Sequence, residues 1–247
     1  LGVPRGYAAE TLVAQYNDLA SVRELFEVNR GEIACVIVEP VAANMGVVPP
    51  EEGFLQGLRA LCDQSGALLI FDEVITGFRV AYGGAAERYG VAPDLAAYGK
   101  IVGGGMPLAA YGGRREIMSV VAPLGGVYQA GTLSGNPVAT AAGLATLRIL
   151  RESKEKIYPA LEEKGAYLEE AFRAAGVPAS RLGPILTPFF AARAPKNYAE
   201  ACACDTAAFA RYFGAMLDAG QYVAPSQFEA MFVSAVHTKQ HLQETAS

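Results

Sequence analysis

The segment Ala67-Leu68-Leu69-Ile70-Phe71, five apolar residues closed by Asp72-Glu73, most constrains how this chain can fold. A strand with one face in water alternates apolar and polar residues. A run without alternation is the mark of a sheet covered on both faces. Ile33-Ala34-Cys35-Val36-Ile37-Val38, ending at Glu39-Pro40, has the same character, and residues 94–98 and 108–111 are shorter strand candidates. Helical patterns lie between them. Asn17-Asp18 can cap a helix through Val22, Leu25 and Phe26. Pro49-Pro50-Glu51-Glu52 suits the start of another, with Leu55, Leu58, Leu61 and Cys62 at helical spacing and Gly66 as its stop. Alternation of such strands and helices predicts an α/β fold around a mainly parallel sheet.

A long helix is expected from Asn136-Pro137 through Leu144, Leu147 and Leu150. The charge-rich stretch 151–156 then marks a boundary, dividing the chain into residues 1–150 and residues 151–247. The second part should hold a helix over 161–175, a strand over 185–192, a helix over 205–219 and short strands near 222–223 and 232–236. That order suggests a smaller α+β domain. Hydrophobic residues make up 52% and charged residues 18%, enough to build a core.

Several function classes lose their footing here. The formal net charge of −5 gives no electrostatic reason to bind nucleic acid or anionic lipid. No apolar run approaches the roughly 20 residues of a membrane helix. Cys35 and Cys62 sit in apolar patterns and read as small buried thiols. No Cys-x-x-Cys pair is present among the four cysteines, so a reducing, cytosol-like compartment is expected. His237 and His241 are four apart, but no third ligand accompanies them, and no metal site is expected.

Three motifs carry the chemistry. Asp72 closes an apolar strand, and open α/β sheets gather ligands at the carboxyl ends of their strands. Lys100 stands in Tyr98-Gly99-Lys100-Ile101-Val102-Gly103-Gly104-Gly105, where glycines allow close backbone approach around one amine. Gly131-Thr132, followed by Ser134-Gly135-Asn136-Pro137, can offer amides and hydroxyls to a phosphate, or can simply cap the helix that follows. One amine to form an imine, one carboxylate to hold a ring nitrogen protonated and one loop for phosphate together match pyridoxal 5'-phosphate. The competing reading makes Asp72-Glu73 a magnesium site of a nucleotide-binding protein. It requires Gly-x-x-x-x-Gly-Lys-Ser/Thr upstream, which this sequence lacks.

On these residues the chain resembles the class III branch of fold-type-I pyridoxal phosphate enzymes, and within it the aminomutases. The carrying segments are Tyr16-Asn17-Asp18-Leu19, residues 71–79, the Lys100 loop, residues 111–118, residues 129–137 and residues 224–230. The resemblance implies a partial large cofactor-binding domain followed by a small α+β domain. Lys100 would carry the cofactor as an imine and shuttle a proton. Asp72 would hold the ring nitrogen, Val74 would pack on the ring and Asn44 would lie near its substituents. Gly131 and Thr132 would reach the phosphate of a neighbouring subunit's cofactor, implying a homodimer. Glu229 would sit near a small amino-aldehyde substrate. The implied reaction is an internal amino exchange between pyridoxal and pyridoxamine 5'-phosphate forms, turning glutamate 1-semialdehyde into 5-aminolevulinate for tetrapyrrole synthesis. The alternative is an ω-aminotransferase with a separate amino donor. Residue 1 is Leu rather than Met. The family's main phosphate loop and much of its carboxylate site have no counterpart here, so the chain is expected to be the later part of a longer protein and inactive or weakly active alone. Its compartment would be the cytoplasm, or the plastid in a plant.

Overall fold

The computed structural model describes residues 2–247. Helices α1 (Arg5–Ala9) and α2 (Leu19–Val28) lead to β1 (Cys35–Val38), α3 (Phe54–Ser65) and β2 (Leu68–Asp72). After α4 (Gly84–Tyr89) come β3 (Leu95–Tyr98), a 3-10 turn (Lys100–Gly103), β4 (Ala110–Gly113) and α5 (Arg115–Met118). These strands form one sheet in the order β1-β2-β3-β4, parallel except for β4, which runs antiparallel to β3. The α/β architecture with a mainly parallel sheet is therefore as the sequence implies.

Local chemistry sets the helix ends. The Asp18 carboxylate accepts from the amides of Ala20 and Ser21, capping α2 as expected. Helix α3 starts later than the prolines suggest. Its N-cap is Gly53, in the left-handed region at φ 81°, and Gly66 at φ 71° ends it. The Asn17 side chain holds residues 49–51 out of the helix, donating to the Pro49 carbonyl and accepting from the Glu51 amide.

One face of the sheet is covered. Leu69, Phe71 and Ala96 pack against Val22 and Phe26 of α2 and Leu55, Leu58 and Cys62 of α3. The expectation of two covered faces fails for β1 among the described residues: Cys35 is exposed and Ile37 is 66% exposed. Cys35 is thus not the buried thiol its neighbours suggest, whereas Cys62 is buried, and burial pushes its thiol up to about 11.

The remaining elements are α6 (Pro137–Glu152), α7 (Lys154–Ala174), β5 (Ala179–Leu182), β6 (Ile185–Pro188), α8 (Tyr198–Cys202), α9 (Thr206–Asp218), β7 (Met231–Phe232) and α10 (Lys239–Ala246). The strands pair antiparallel in the order β5-β6-β7. The charged stretch 151–156 forms no loop; only Ser153 separates α6 from α7. Strand β5 is additional to the expected elements, none forms at 222–223, and β7 is only two residues long. His237 precedes α10, so the two histidines do not share a helix. A second apolar cluster joins both sheets, packing Val41, Ala43, Val47, Ile75, Val80 and Ala85 against Leu182, Ile185 and Ala230.

Asp94, just before β3, anchors the edge of the sheet opposite the strands' carboxyl ends. Its carboxylate accepts from the Leu69 amide at 2.7 Å, Arg59 at 2.7 Å and Arg114 at 3.0 Å. Burial pushes its carboxyl up, but that amide and the two guanidinium groups outweigh burial and hold it below the usual range. A depressed carboxyl stabilises the fold fully above its unfolded value, near 4, and loses that contribution as pH falls through the folded value. Asp94→Asn should therefore cost about 2–3 kcal/mol at neutral pH. In urea titrations the gap between wild type and variant should close as pH drops below about 4. A gap independent of pH would show that packing, not charge, is lost.

Candidate active site

Parallel pairing brings the first three strand ends to one edge. Val38 pairs with Phe71, and Asp72 with Ala97. Glu39, Asp72 and the Tyr98-Gly99-Lys100 segment consequently leave the sheet side by side, at its carboxyl edge.

Asp72 is half-buried and projects from the face opposite Phe71, as strand alternation requires. Its Oδ1 accepts from the Val74 amide at 3.0 Å, while Oδ2 has no hydrogen-bond partner among the described residues. Val74 then lies against Gly99, where an added Cβ would stand 3.2 Å from Val74 Cγ1. A side chain at 99 would require Val74 to give by a few tenths of an ångström. Lys100 is exposed and has φ 49°, one of three non-glycine residues with positive φ among those described. A bulky residue in the left-handed region costs about 1–3 kcal/mol, and such strain clusters at functional positions.

The 3-10 turn that begins at Lys100 is buttressed by α6. An added Cβ on Gly104 would meet the Ala142 carbonyl at 2.6 Å, and one on Gly143 would meet the Val102 carbonyl at 2.4 Å. Helix α6 is itself capped by Asn136, whose side chain accepts from the Ala139 amide, with Pro137 in the first turn.

Glu73, beside Asp72 in sequence, points the other way and is fully buried. Its carboxylate accepts from Thr76 Oγ1 at 2.5 Å and from the Ala85 and Ala86 amides at 2.9 Å each. Both oxygens are spent on holding α4, so Asp72 and Glu73 do not face a common ion. The magnesium reading of this dipeptide falls on that geometry, and no group of three or more His, Cys, Asp or Glu side chains suited to a metal occurs among the described residues.

Asn44 is exposed at the tip of a loop closed by the Ala42–Val48 bridge. Glu39 orients it: Oε1 accepts from Asn44 Nδ2 at 3.0 Å and Oε2 from the Ala43 amide at 2.9 Å. In the sequence Glu39 stands only as a strand end, and an acid closing an apolar strand is the signal that points to it. A groove of about 860 Å³ runs from Glu39 and Asn44 along the open side of β1. Glu229 is exposed and lines a different cavity, of about 590 Å³, with Phe232, His237 and His241. Lys100 and Asp72 line neither. Gly131 and Thr132 are exposed and make no hydrogen bond to Lys100, Asp72 or Asn44 within the chain. The fold thus groups Asp72, Val74 and Lys100 closely, sets Asn44 on the same sheet edge, and leaves Thr132 and Glu229 outside that group.

Comparison with known proteins supplies the remaining constraint. A family model described as aminotransferase class-III matches residues 5–185. Glutamate-1-semialdehyde 2,1-aminomutase of Pelotomaculum thermopropionicum is 57% identical over 251 residues, covering 99% of this chain and 57% of that protein. The enzyme of the same name from Citrifermentans bemidjiense is 54% identical, covering 99% and 58%. The chain spans little more than half the length of these curated relatives. Among solved structures, an omega-transaminase from Sphaerobacter thermophilus superposes with a TM-score of 0.86 at 32% identity, covering 99% of this chain and 57% of that one. A glutamate-1-semialdehyde-aminomutase variant from Pseudomonas aeruginosa in complex with PMP superposes with a TM-score of 0.83 at 27% identity, with the same coverages.

Proposed function

The chain belongs to the class-III aminotransferase family, and from that premise we propose that it supplies the catalytic lysine and its supporting acid to a pyridoxal phosphate-dependent aminomutase. The observation that carries the reading is Lys100: an exposed residue on strained backbone, in the 3-10 turn that follows β3, the strand adjacent and parallel to the one that ends in Asp72. The named relatives, all aminomutases at 54–57% identity, favour glutamate 1-semialdehyde over a separate-donor substrate.

The residues present fit the cofactor's needs. Asp72 Oδ2 is available to accept from a ring N–H, and a carboxylate there keeps that nitrogen protonated. When bound, the cofactor withdraws electrons from the substrate's reacting carbon and carries the amino group between positions. Lys100 Nζ is the base that moves the proton at those carbons. Val74 would hold one face of the ring, and Asn44, oriented by Glu39, would meet its polar substituents. Glu229 would face the substrate.

Gly131 and Thr132 serve a second copy's phosphate in this reading. Leu124, Tyr128, Leu133 and Val138 around them are all more than 60% exposed, an apolar stretch that a homodimer would cover. The same reading assigns residues 1–150 to the large cofactor-binding domain and residues 151–247 to the small one, with Ser153 between their helices. No described helix is long and apolar enough to cross a membrane. A cytoplasmic site, or a plastid one in a plant, follows from the tetrapyrrole role.

The test is conversion of glutamate 1-semialdehyde by the pyridoxamine phosphate-loaded protein with no amino donor added. Formation of 5-aminolevulinate is expected from a protein extended upstream, and little or none from this chain alone. A strict requirement for a donor would replace the aminomutase reading with the ω-aminotransferase.

A further inference from the structure

Thr187, in the middle of β6, is 1% exposed and uses its hydroxyl in both directions. Oγ1 accepts from the Val47 amide at 3.0 Å and donates to the Glu229 carbonyl at 3.3 Å. Its partners lie 140 and 42 residues away in sequence. A buried hydroxyl with donor and acceptor both engaged has its orientation fixed.

The contacts around it leave little slack. Three residues before Val47, Asn44 stands in the loop closed by the Ala42–Val48 bridge. The Gly46 amide donates to the Phe228 carbonyl at 2.8 Å. Gly46 adopts φ 74°, and an added Cβ would lie 2.5 Å from the Phe189 ring and 3.1 Å from Thr187 Cγ2. Val47 and Ala230 pack in the same apolar cluster. The Asn44 loop, β6 and the segment bearing Glu229 therefore meet at one buried hydroxyl.

We infer that Thr187 is a positioning residue: its hydroxyl fixes the separation of Asn44 from Glu229. The two belong to different sheets' loops, and the proposed reaction uses one toward cofactor and the other toward substrate. The importance of that separation rests on the function proposed above; the separation itself is measurable without cofactor or substrate. A failed turnover assay would then leave this inference standing, and the reverse also holds.

Spin labels at Asn44→Cys and Glu229→Cys, with exposed Cys35 and Cys202 changed to serine, report the distance distribution by pulsed electron resonance. With Thr187 or with Thr187→Ser, which keeps the hydroxyl, the distribution should be narrow and centred alike. Thr187→Val, similar in shape but without the hydroxyl, should shift or broaden it. Should the valine variant not fold, Thr187→Cys is read in the same way, its thiol being a longer and weaker bridge. A folded valine or cysteine variant with an unchanged distribution overturns the inference whatever its melting temperature, as does a serine variant as broad as the valine one.

Discussion

Lys100→Ala should abolish the adduct left on the protein when pyridoxal phosphate is added and then reduced with borohydride. Hydride converts a reversible carbon–nitrogen double bond into a stable amine, so peptide mapping by mass reads where the bond formed. The wild-type chain should carry the phosphopyridoxyl group at Lys100, and Lys100→Arg should lose it as completely as alanine does, because guanidinium does not form the bond. A modification spread over exposed surface lysines, unchanged in Lys100→Ala, would sink the assignment. A second readout needs no cofactor. Lys100 holds φ 49°, and glycine adopts that region without a Cβ penalty. Lys100→Gly should be more stable than Lys100→Ala by about 1 kcal/mol in urea unfolding, since only glycine relieves the strain. A less stable glycine variant would mean that Lys100 is not strained in solution. Loss of the adduct in both variants, with glycine more stable than alanine, is the signature of a lysine held on strained backbone for its amine.

Much of that site was legible because its determinants are local. The apolar run before Asp72 announces a strand, and the acid at its end announces the carboxyl edge. Lys100 is conspicuous because glycines crowd around it. What was not legible depends on residues far apart in sequence. Nothing near Thr187 signals that it bridges Val47 and Glu229, and nothing near Glu39 signals that it orients Asn44. Boundaries failed for a related reason. Pro49-Pro50 has the composition of a helix start, but Asn17, more than thirty residues earlier, binds that backbone in another conformation. The apolar pattern of β1 is that of a strand covered twice, yet among the described residues only one cover is present. Periodicity reports the environment a side chain suits, not which segment provides it.

Asp72 and Glu73 give the sharpest division of labour, and mutation should separate them. Glu73→Ala would leave the Thr76 hydroxyl and the Ala85 and Ala86 amides without their acceptor in a site closed to water. Each unsatisfied buried polar group costs about 1–3 kcal/mol, and partial relaxation brings the expected total to about 4 kcal/mol. That is a large share of the 5–15 kcal/mol that stabilises a typical domain. Glu73→Gln should cost less, about 2 kcal/mol, since its oxygen replaces one acceptor while its NH2 confronts a second donor. The neighbourhood cannot easily collapse around a shorter side chain. Gly84, at φ 68°, already approaches so closely that an added Cβ would lie 2.5 Å from Glu73 Oε2. Asp72→Asn should behave oppositely. It is half-buried and accepts one hydrogen bond from the Val74 amide, so its stability cost should be at most about 1 kcal/mol. Its effect should fall on the cofactor instead, because a neutral amide no longer holds the ring nitrogen protonated. Urea unfolding of the three variants, read beside adduct formation at Lys100, checks the contrast. Equal stability losses at 72 and 73 would contradict it, and so would magnesium-dependent stabilisation of the wild type that disappears in both. Strand geometry alone makes the difference: consecutive residues face opposite sides, so one carboxylate is committed to holding α4 and the other is left free for chemistry.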